Sequence, residues 1–198
     1  MPHEIEIKFR LDDPDALRRR LRGLHAESEG DEEERNRIFD FPDHRLRNAD
    51  SALRVRTVFE DDEPVSTTLT YKGPRQPTVP PRREQLELEV EDEETIATLL
   101  ARIGLREQVH YEKRRETWLL PVRPSGGPNE MVAVLLDELP ELGWFIEIEG
   151  PACEAVLEAV RRLGLDPSQA LRESYVELAA REGRKDEHGV SALRFEQE

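Results

Sequence analysis

The sequence predicts an α+β protein in which about eight β-strands close into a barrel with helices packed on the outside. Three observations predict it. Glu4 to Leu11 alternates with period two, so Ile5, Ile7, Phe9 and Leu11 share one face and Glu4, Glu6, Lys8 and Arg10 the other. The same alternation returns in Leu86 to Glu91 and in Phe145 to Glu149, with Leu53-Arg54-Val55-Arg56 as a basic counterpart. Amphipathic helical stretches follow three of these strands, which gives their apolar faces something to pack against. Ionised strand faces that line one another inside a closed sheet turn the apolar faces outward, under the helices.

The elements follow in order. Glu4 to Leu24, Gln85 to Leu105 and Phe145 to Leu165 form a weak internal repeat of acidic strand, short turn, amphipathic helix and Gly-Leu. Each repeat ends in a glycine (Gly23, Gly104, Gly164) suited to a left-handed helix cap, with the following leucine packing back on the helix. Asp13 and Pro14 mark the first helix start, and Leu17, Leu21 and Leu24 its apolar stripe. Between the repeats, strands are expected over 35–41, 52–59, 65–72, 109–120 and 131–136. Breakers separate them at 61–64, 76–81 and 124–128, the last with a double glycine. Together these give about eight strands, enough for a barrel that holds one small ligand. A further helix is expected over 167–181, closing a domain of residues 1–182. The remainder, 183–198, reads as a polar, flexible tail.

Composition narrows the function classes. The net charge is −15, from 44 acids against 29 bases, which argues against nucleic-acid binding and against anionic membrane surfaces. No long apolar run or targeting pattern is present, so a cytoplasmic protein is expected. A lone Cys153 excludes an internal disulfide and multi-cysteine metal sites. Much of the acidic excess lies in runs that read as solvated loops, at 29–34, 60–63 and 91–94. This acidic, arginine-rich balance fits salt adaptation. Thermal stability is then expected to rise with molar KCl, and a melting temperature indifferent to salt would refute that reading.

The ionised strand faces carry the chemistry. Carboxylates at 4 Å repel by about 4 kcal/mol at an effective dielectric near 20, so an acidic interior needs counter-charge. Divalent cations on the acids and a polyanion on the bases supply it, which points to a tunnel for a metal-bound polyphosphate. Lysine occurs only four times, and Lys8, Lys72 and Lys113 all fall in strand motifs, where a compact ammonium suits a phosphate oxygen. Lys185 is the exception.

Taken in order, the motifs resemble those of the CYTH, or triphosphate tunnel metalloenzyme, superfamily. They are Glu4-x-Glu6-x-Lys8, Leu53-Arg54-Val55-Arg56, Thr70-Tyr71-Lys72-Gly73-Pro74, Arg83-x-x-x-Glu87-x-Glu89, Lys113-x-Arg115, Asp137 and Leu142 to Glu149. Glu173-Ser174-Tyr175-Val176-Glu177-Leu178 is similar to the C-terminal helix of the class IV adenylyl cyclase branch. The resemblance spans residues 4 to about 178. A single Glu-x-Glu-x-Lys is a weak signal; the ordered set is a strong one.

The resemblance implies an eight-stranded antiparallel barrel tunnel that binds a triphosphate with Mg²⁺ or Mn²⁺. It implies metal-site carboxylates at Glu4, Glu6, Glu147 and Glu149, with Asp137, Glu87 and Glu89 close by. Arg54, Arg56, Lys72, Lys113 and Arg115 become the triphosphate cradle, with Lys8 and Arg83 facing it. Glu6, Glu147 and Lys8 stand as the catalytic set. The implied reaction is conversion of ATP to cyclic AMP and pyrophosphate, with hydrolysis of tripolyphosphate or thiamine triphosphate as the alternative and a non-catalytic polyphosphate-binding module as a third reading. A homodimer is also implied. Relatives often carry an acid where this chain has Gln85. Asp137, ahead of Glu138-Leu139-Pro140, also suits a turn. Trp118 and Trp144 are expected as packing residues, and His110 as structural.

Overall fold

A computed structural model describes residues 3–125 and 127–196. Met1, Pro2, Gly126 of the double-glycine breaker, and Gln197 and Glu198 of the tail lie outside the described residues. The chain runs β1 (His3–Leu11), α1 (Pro14–Gly23), β2 (Glu27–Asp40), α2 (Arg45–Asn48), β3 (Ala52–Glu60), β4 (Glu63–Lys72) and β5 (Arg82–Val90). It continues through α3 (Glu93–Arg102), β6 (Arg106–Val122), β7 (Glu130–Leu139), β8 (Gly143–Glu149), α4 (Cys153–Leu163), α5 (Tyr175–Glu182), β9 (Arg184–Lys185) and β10 (Ser191–Leu193). Among the described residues, eight strands close a ring in the order β2-β3-β4-β5-β1-β8-β7-β6, sealed by pairing of β2 with β6. Every pairing within the ring is antiparallel.

Alternation decides which side of the wall each residue faces. Ile5, Ile7 and Phe9 of β1 turn outward into a core with Leu17 and Leu21 of α1 and Val156, Val160 and Leu163 of α4. Trp118, buried, and Trp144, partly buried, pack in the same core, as expected. Ala97 and Leu100 of α3 cover Phe39 and Val55 of β2 and β3. Tyr175, Leu178 and Ala179 of α5 close over Ile38, Val109, Tyr111, Leu139 and Phe145 at one end of the barrel. Val65, Leu86 and Leu88 on the outer side of β4 and β5 remain exposed.

Helix boundaries follow local chemistry. Asp13 accepts from the Ala16 amide and Asp92 from the Thr95 amide, which caps α1 and α3. Ser174 and Glu177 form a reciprocal capping box on α5. Gly104 and Gly164 take the left-handed conformation expected at the ends of the second and third repeats. The first repeat differs: α1 ends without it, and the left-handed residue is His25.

Two sequence expectations are corrected. The acidic run at 29–34 is not a solvated loop but the first half of β2, paired along β6 from Glu27 onward. A run of like charges hides strand alternation when only one side of it faces solvent. The segment after Gly183 is not a loose tail as far as Leu193, because β10 pairs in parallel with β6 and β9 pairs with β10. Ser191 and Leu193 are buried there. Three short apolar or small residues suffice when they fill the edge of a neighbouring strand. No helix among the described residues is long and apolar enough to cross a membrane.

Candidate functional site

The inner face of β1 and β8 forms an acidic corner. Antiparallel register sets Glu6 opposite Glu149 and Lys8 opposite Glu147, and Glu4 lies one inward step before Glu6. Carboxylate oxygens of Glu4, Glu6 and Glu149 come within 4.8 Å of one another. Their protonation differs because their neighbours differ. Burial, then the charges of Glu4 and Glu147, pushes the Glu6 carboxyl up, and burial with the Glu6 charge pushes Glu149 up to about 7. Burial also disfavours ionised Glu4, yet Lys72 at 2.5 Å and Arg83 at 3.0 Å hold it down to about 2. Three converging oxygen donors suit a hard divalent cation such as Mg²⁺ or Mn²⁺, which would relieve the repulsion that raises Glu6 and Glu149. The donor set fits the metal that the sequence implied.

The opposite part of the interior is cationic. Lys113 and Arg115 of β6 are both buried, and so is the Asp137 they share. Asp137 accepts from Arg115 Nε at 2.6 Å, Arg115 Nη2 at 2.6 Å and Lys113 Nζ at 3.2 Å. Arg115 Nη2 also reaches Glu147 at 2.6 Å, and Lys8 Nζ stands 2.8 Å from the other oxygen of Glu147. Glu147 is therefore held well below the usual carboxylate range: burial opposes its charge, but Lys8, Lys113 and Arg115 outweigh it. Arg54 has no carboxylate at ion-pair distance among the described residues, and its buried Nε has no hydrogen-bond partner. Arg56 likewise leaves its Nε unsatisfied. These are donors that an anion can take up.

A cavity of about 580 Å³ joins the two regions. Glu4, Glu6, Lys8, Arg54, Arg56, Lys72, Arg83, Lys113, Arg115, Glu147 and Glu149 all line it. Gln85 lines it as well. Other predicted site residues stand elsewhere. Asp137 is not among the three clustered carboxylates; it lies beneath Lys113 and Arg115 as their counter-ion. Glu87 accepts from Thr70 Oγ1 at 3.0 Å and faces Arg56 at 3.7 Å, and Glu89 is exposed opposite Thr68. Both are exposed, and neither lines the cavity.

Sequence reasoning missed two residues. Glu34 of β2 is buried between Arg56 at 3.2 Å and Lys113 at 3.3 Å, and also faces Arg115 at 3.6 Å. Burial opposes its charge, but Lys113, Arg115 and Arg56 hold its carboxyl well below the ordinary range. The signal was the alternation Glu32-x-Glu34-x-Asn36, concealed by the acids between. Tyr175 is the second. Lys8 Nζ sits 3.7 Å over its ring and Lys113 Nζ 5.3 Å away, so the phenol ring forms the end wall of the cationic region. Arg75 ties this end together by pairing with both Asp50 and Glu177.

Comparison with known proteins gives a concordant result. The family model described as CYTH domain matches residues 2–180. A Methanocaldococcus jannaschii protein provisionally named as an adenylate cyclase is 27% identical over 184 residues, covering 88% of this chain and 97% of that one. Adenylate cyclase CyaB of Aeromonas hydrophila is 28% identical, over 87% of this chain and 86% of its own. Among solved structures, PH1819 from Pyrococcus horikoshii OT3 superposes with a TM-score of 0.71 at 28% identity, covering 88% of this chain and 97% of that one. HpAC1 from Hippeastrum, an adenylyl cyclase by provisional name whose structure is described as revealing a dominant triphosphatase activity, shares the fold with a TM-score of 0.57. It is 21% identical over 82% of this chain and 88% of that one. With the barrel, its ionised interior and a family match over nearly the whole length, the chain belongs to the CYTH domain family.

Proposed function

We propose that this protein is a divalent-metal-dependent enzyme that binds a triphosphate in its tunnel and converts ATP to cyclic AMP and pyrophosphate. One observation carries the reading: the Glu4–Glu6–Glu149 cluster and the cations Arg54, Lys113 and Arg115 line one cavity. The same cavity is also lined by Ala52, Val109 and Val176, and by Asp50, Arg75 and Glu177, whose charges are paired with one another, so it offers more than a grip for a bare triphosphate.

The residues divide the work. Arg115 and Lys113, preset by Asp137 and Glu34, grip phosphate oxygens without reorganising. Arg54 and Arg56 contribute unsatisfied donors. Lys8 and Glu147 neutralise one another until a phosphate competes for Lys8. Glu4, Glu6 and Glu149 would hold the divalent ion, which supplies charge neutralisation at the phosphates. In the cyclase reaction the ribose 3′-oxygen attacks the α-phosphorus, the bond to the bridging oxygen breaks, and pyrophosphate leaves with the electron pair.

Hydrolysis of the terminal phosphate uses the same grip with water as the attacking group, and HpAC1, on the same fold, is described as mainly a triphosphatase. Product analysis with Mg²⁺ or Mn²⁺ separates the two. Cyclic AMP and pyrophosphate from ATP are expected. Orthophosphate from tripolyphosphate or thiamine triphosphate, with no cyclic AMP, would replace the cyclase reading with the hydrolytic one.

A further inference from the structure

The match to the family ends at residue 180, but the ordered structure does not. β6 is 17 residues long, and β7 pairs with it only from Arg114 to Val122. The β6 edge before that point is taken by β10, which sets Ser191 beside Val109, Ala192 beside His110 and Leu193 beside Tyr111. The segment 183–196 thus completes the barrel wall at the mouth under α5.

Its attachment is specific. Gly183 lies so close to other backbone that a Cβ there would come 2.5 Å from the Ala179 carbonyl oxygen and 3.1 Å from the Ala192 nitrogen. Ser191 Oγ donates to the Ala180 carbonyl at 3.3 Å, and the Phe195 amide to Glu112 at 2.9 Å. Arg194 contacts His110 at 3.1 Å, and Arg114 stacks over the Phe195 ring at 4.3 Å. Lys185 pairs across from Ser191, and both line the same cavity as the phosphate-gripping cations. Lys185 is exposed and has no ion-pair partner among the described residues. The lining includes Val109, Val176 and Ala180, with Gln108 and Ser191 as hydrogen-bonding groups, while Arg75, Asp50 and Glu177 of the same cavity are paired with one another. Apolar walls with a few hydrogen-bonding groups, beside charges already taken up by one another, suit a planar heterocycle and a sugar better than they suit phosphate.

We propose that β9 and β10 build the wall of a nucleoside pocket at this mouth, with Lys185 and Gln108 as its polar contacts, so that this segment sets the preference for a nucleoside triphosphate over an inorganic one. The proposal rests on the triphosphate reading above. Its test is a parallel titration of the full chain, with Mg²⁺ present, by ATP and by inorganic tripolyphosphate. The wild type is expected to bind both. Lys185→Ala should lower the ratio of ATP affinity to tripolyphosphate affinity at least about fivefold, the loss of one polar contact at about 1 kcal/mol per hydrogen bond. Gly183→Ala, which forces the hairpin away from α5, should shift the ratio further in the same direction. An unchanged ratio in Lys185→Ala, whether both affinities fall together or neither moves, would overturn the proposal. Wild type that binds tripolyphosphate but not ATP would also overturn it while leaving the triphosphate site intact. Wild type that binds neither would remove the reading beneath it.

Discussion

Glu6→Gln is expected to reduce turnover at least about a thousandfold, equivalent to about 4 kcal/mol of transition-state stabilisation, while the metal-free protein becomes more stable at pH 8. The two effects have opposite signs for one reason. Burial and the charges of Glu4 and Glu147 raise the folded-state carboxyl above its ordinary value of 4.5. Such a group stabilises the fold when protonated at low pH, and that contribution is lost as the pH rises. Glu149, pushed up to about 7, behaves the same way, with its loss falling between about pH 4.5 and 7. Glutamine keeps the shape and removes the unfavourable charge. Melting curves with and without Mn²⁺ and tripolyphosphate check this. The parent should gain about 2.7 kcal/mol at ligand a hundredfold above its dissociation constant, and the variant should lose most of that gain. Unchanged turnover, or an undiminished shift with metal, would refute the metal assignment of this corner.

Asp137→Asn should cost about 3 kcal/mol or more, in the range for breaking a buried ion pair. For a chain of this size that lowers the melting temperature by roughly 6–12 °C. Asp137 is fully buried and is the shared anion of Lys113 and Arg115; without its charge those cations keep Glu34 and Glu147 as their ion-pair partners among the described residues. The metal-free protein should already show this loss. A metal-ligand role would give a different pattern, with metal-free stability preserved and only the metal-induced shift gone. A melting temperature within about 2 °C of the parent in both conditions would count against the counter-ion role.

The barrel was legible because period-two alternation with charge on one face survives in β1, β3, β5 and β8. Ile5, Ile7 and Phe9 could be assigned to the outer core, and Glu6 and Lys8 to the interior, from their spacing alone. The site was legible where two inward residues of opposite or like charge fell on recognisable motifs, as with Glu147 and Glu149. What spacing could not supply was the partner across the barrel. Asp137 and Glu147 are both acids on inward faces, but only the register of β6 against β7 places Asp137 beneath Arg115. Glu34 was lost because flanking acids gave β2 the appearance of a solvated run. Lys185 and Ser191 carried no local signal at all, since their position depends on an edge that another strand leaves open.

The place of β1 in the ring sets the order in which this site can come into being. The first strand made is inserted between β5 and β8, and its longer pairing is with β8, across more than half the chain length. Contacts of such sequence separation close late and slow folding. Glu4 and Glu6 leave the ribosome well before Glu149, and they acquire their third carboxylate only when Glu149 has been synthesised and paired. Until then the nascent chain carries two of the three carboxylates of the cation site and two sheet margins without their partner, on β1 and on β7. The gate to activity during biosynthesis is therefore one strand register, Glu6 against Glu149, and not the folding of any single repeat.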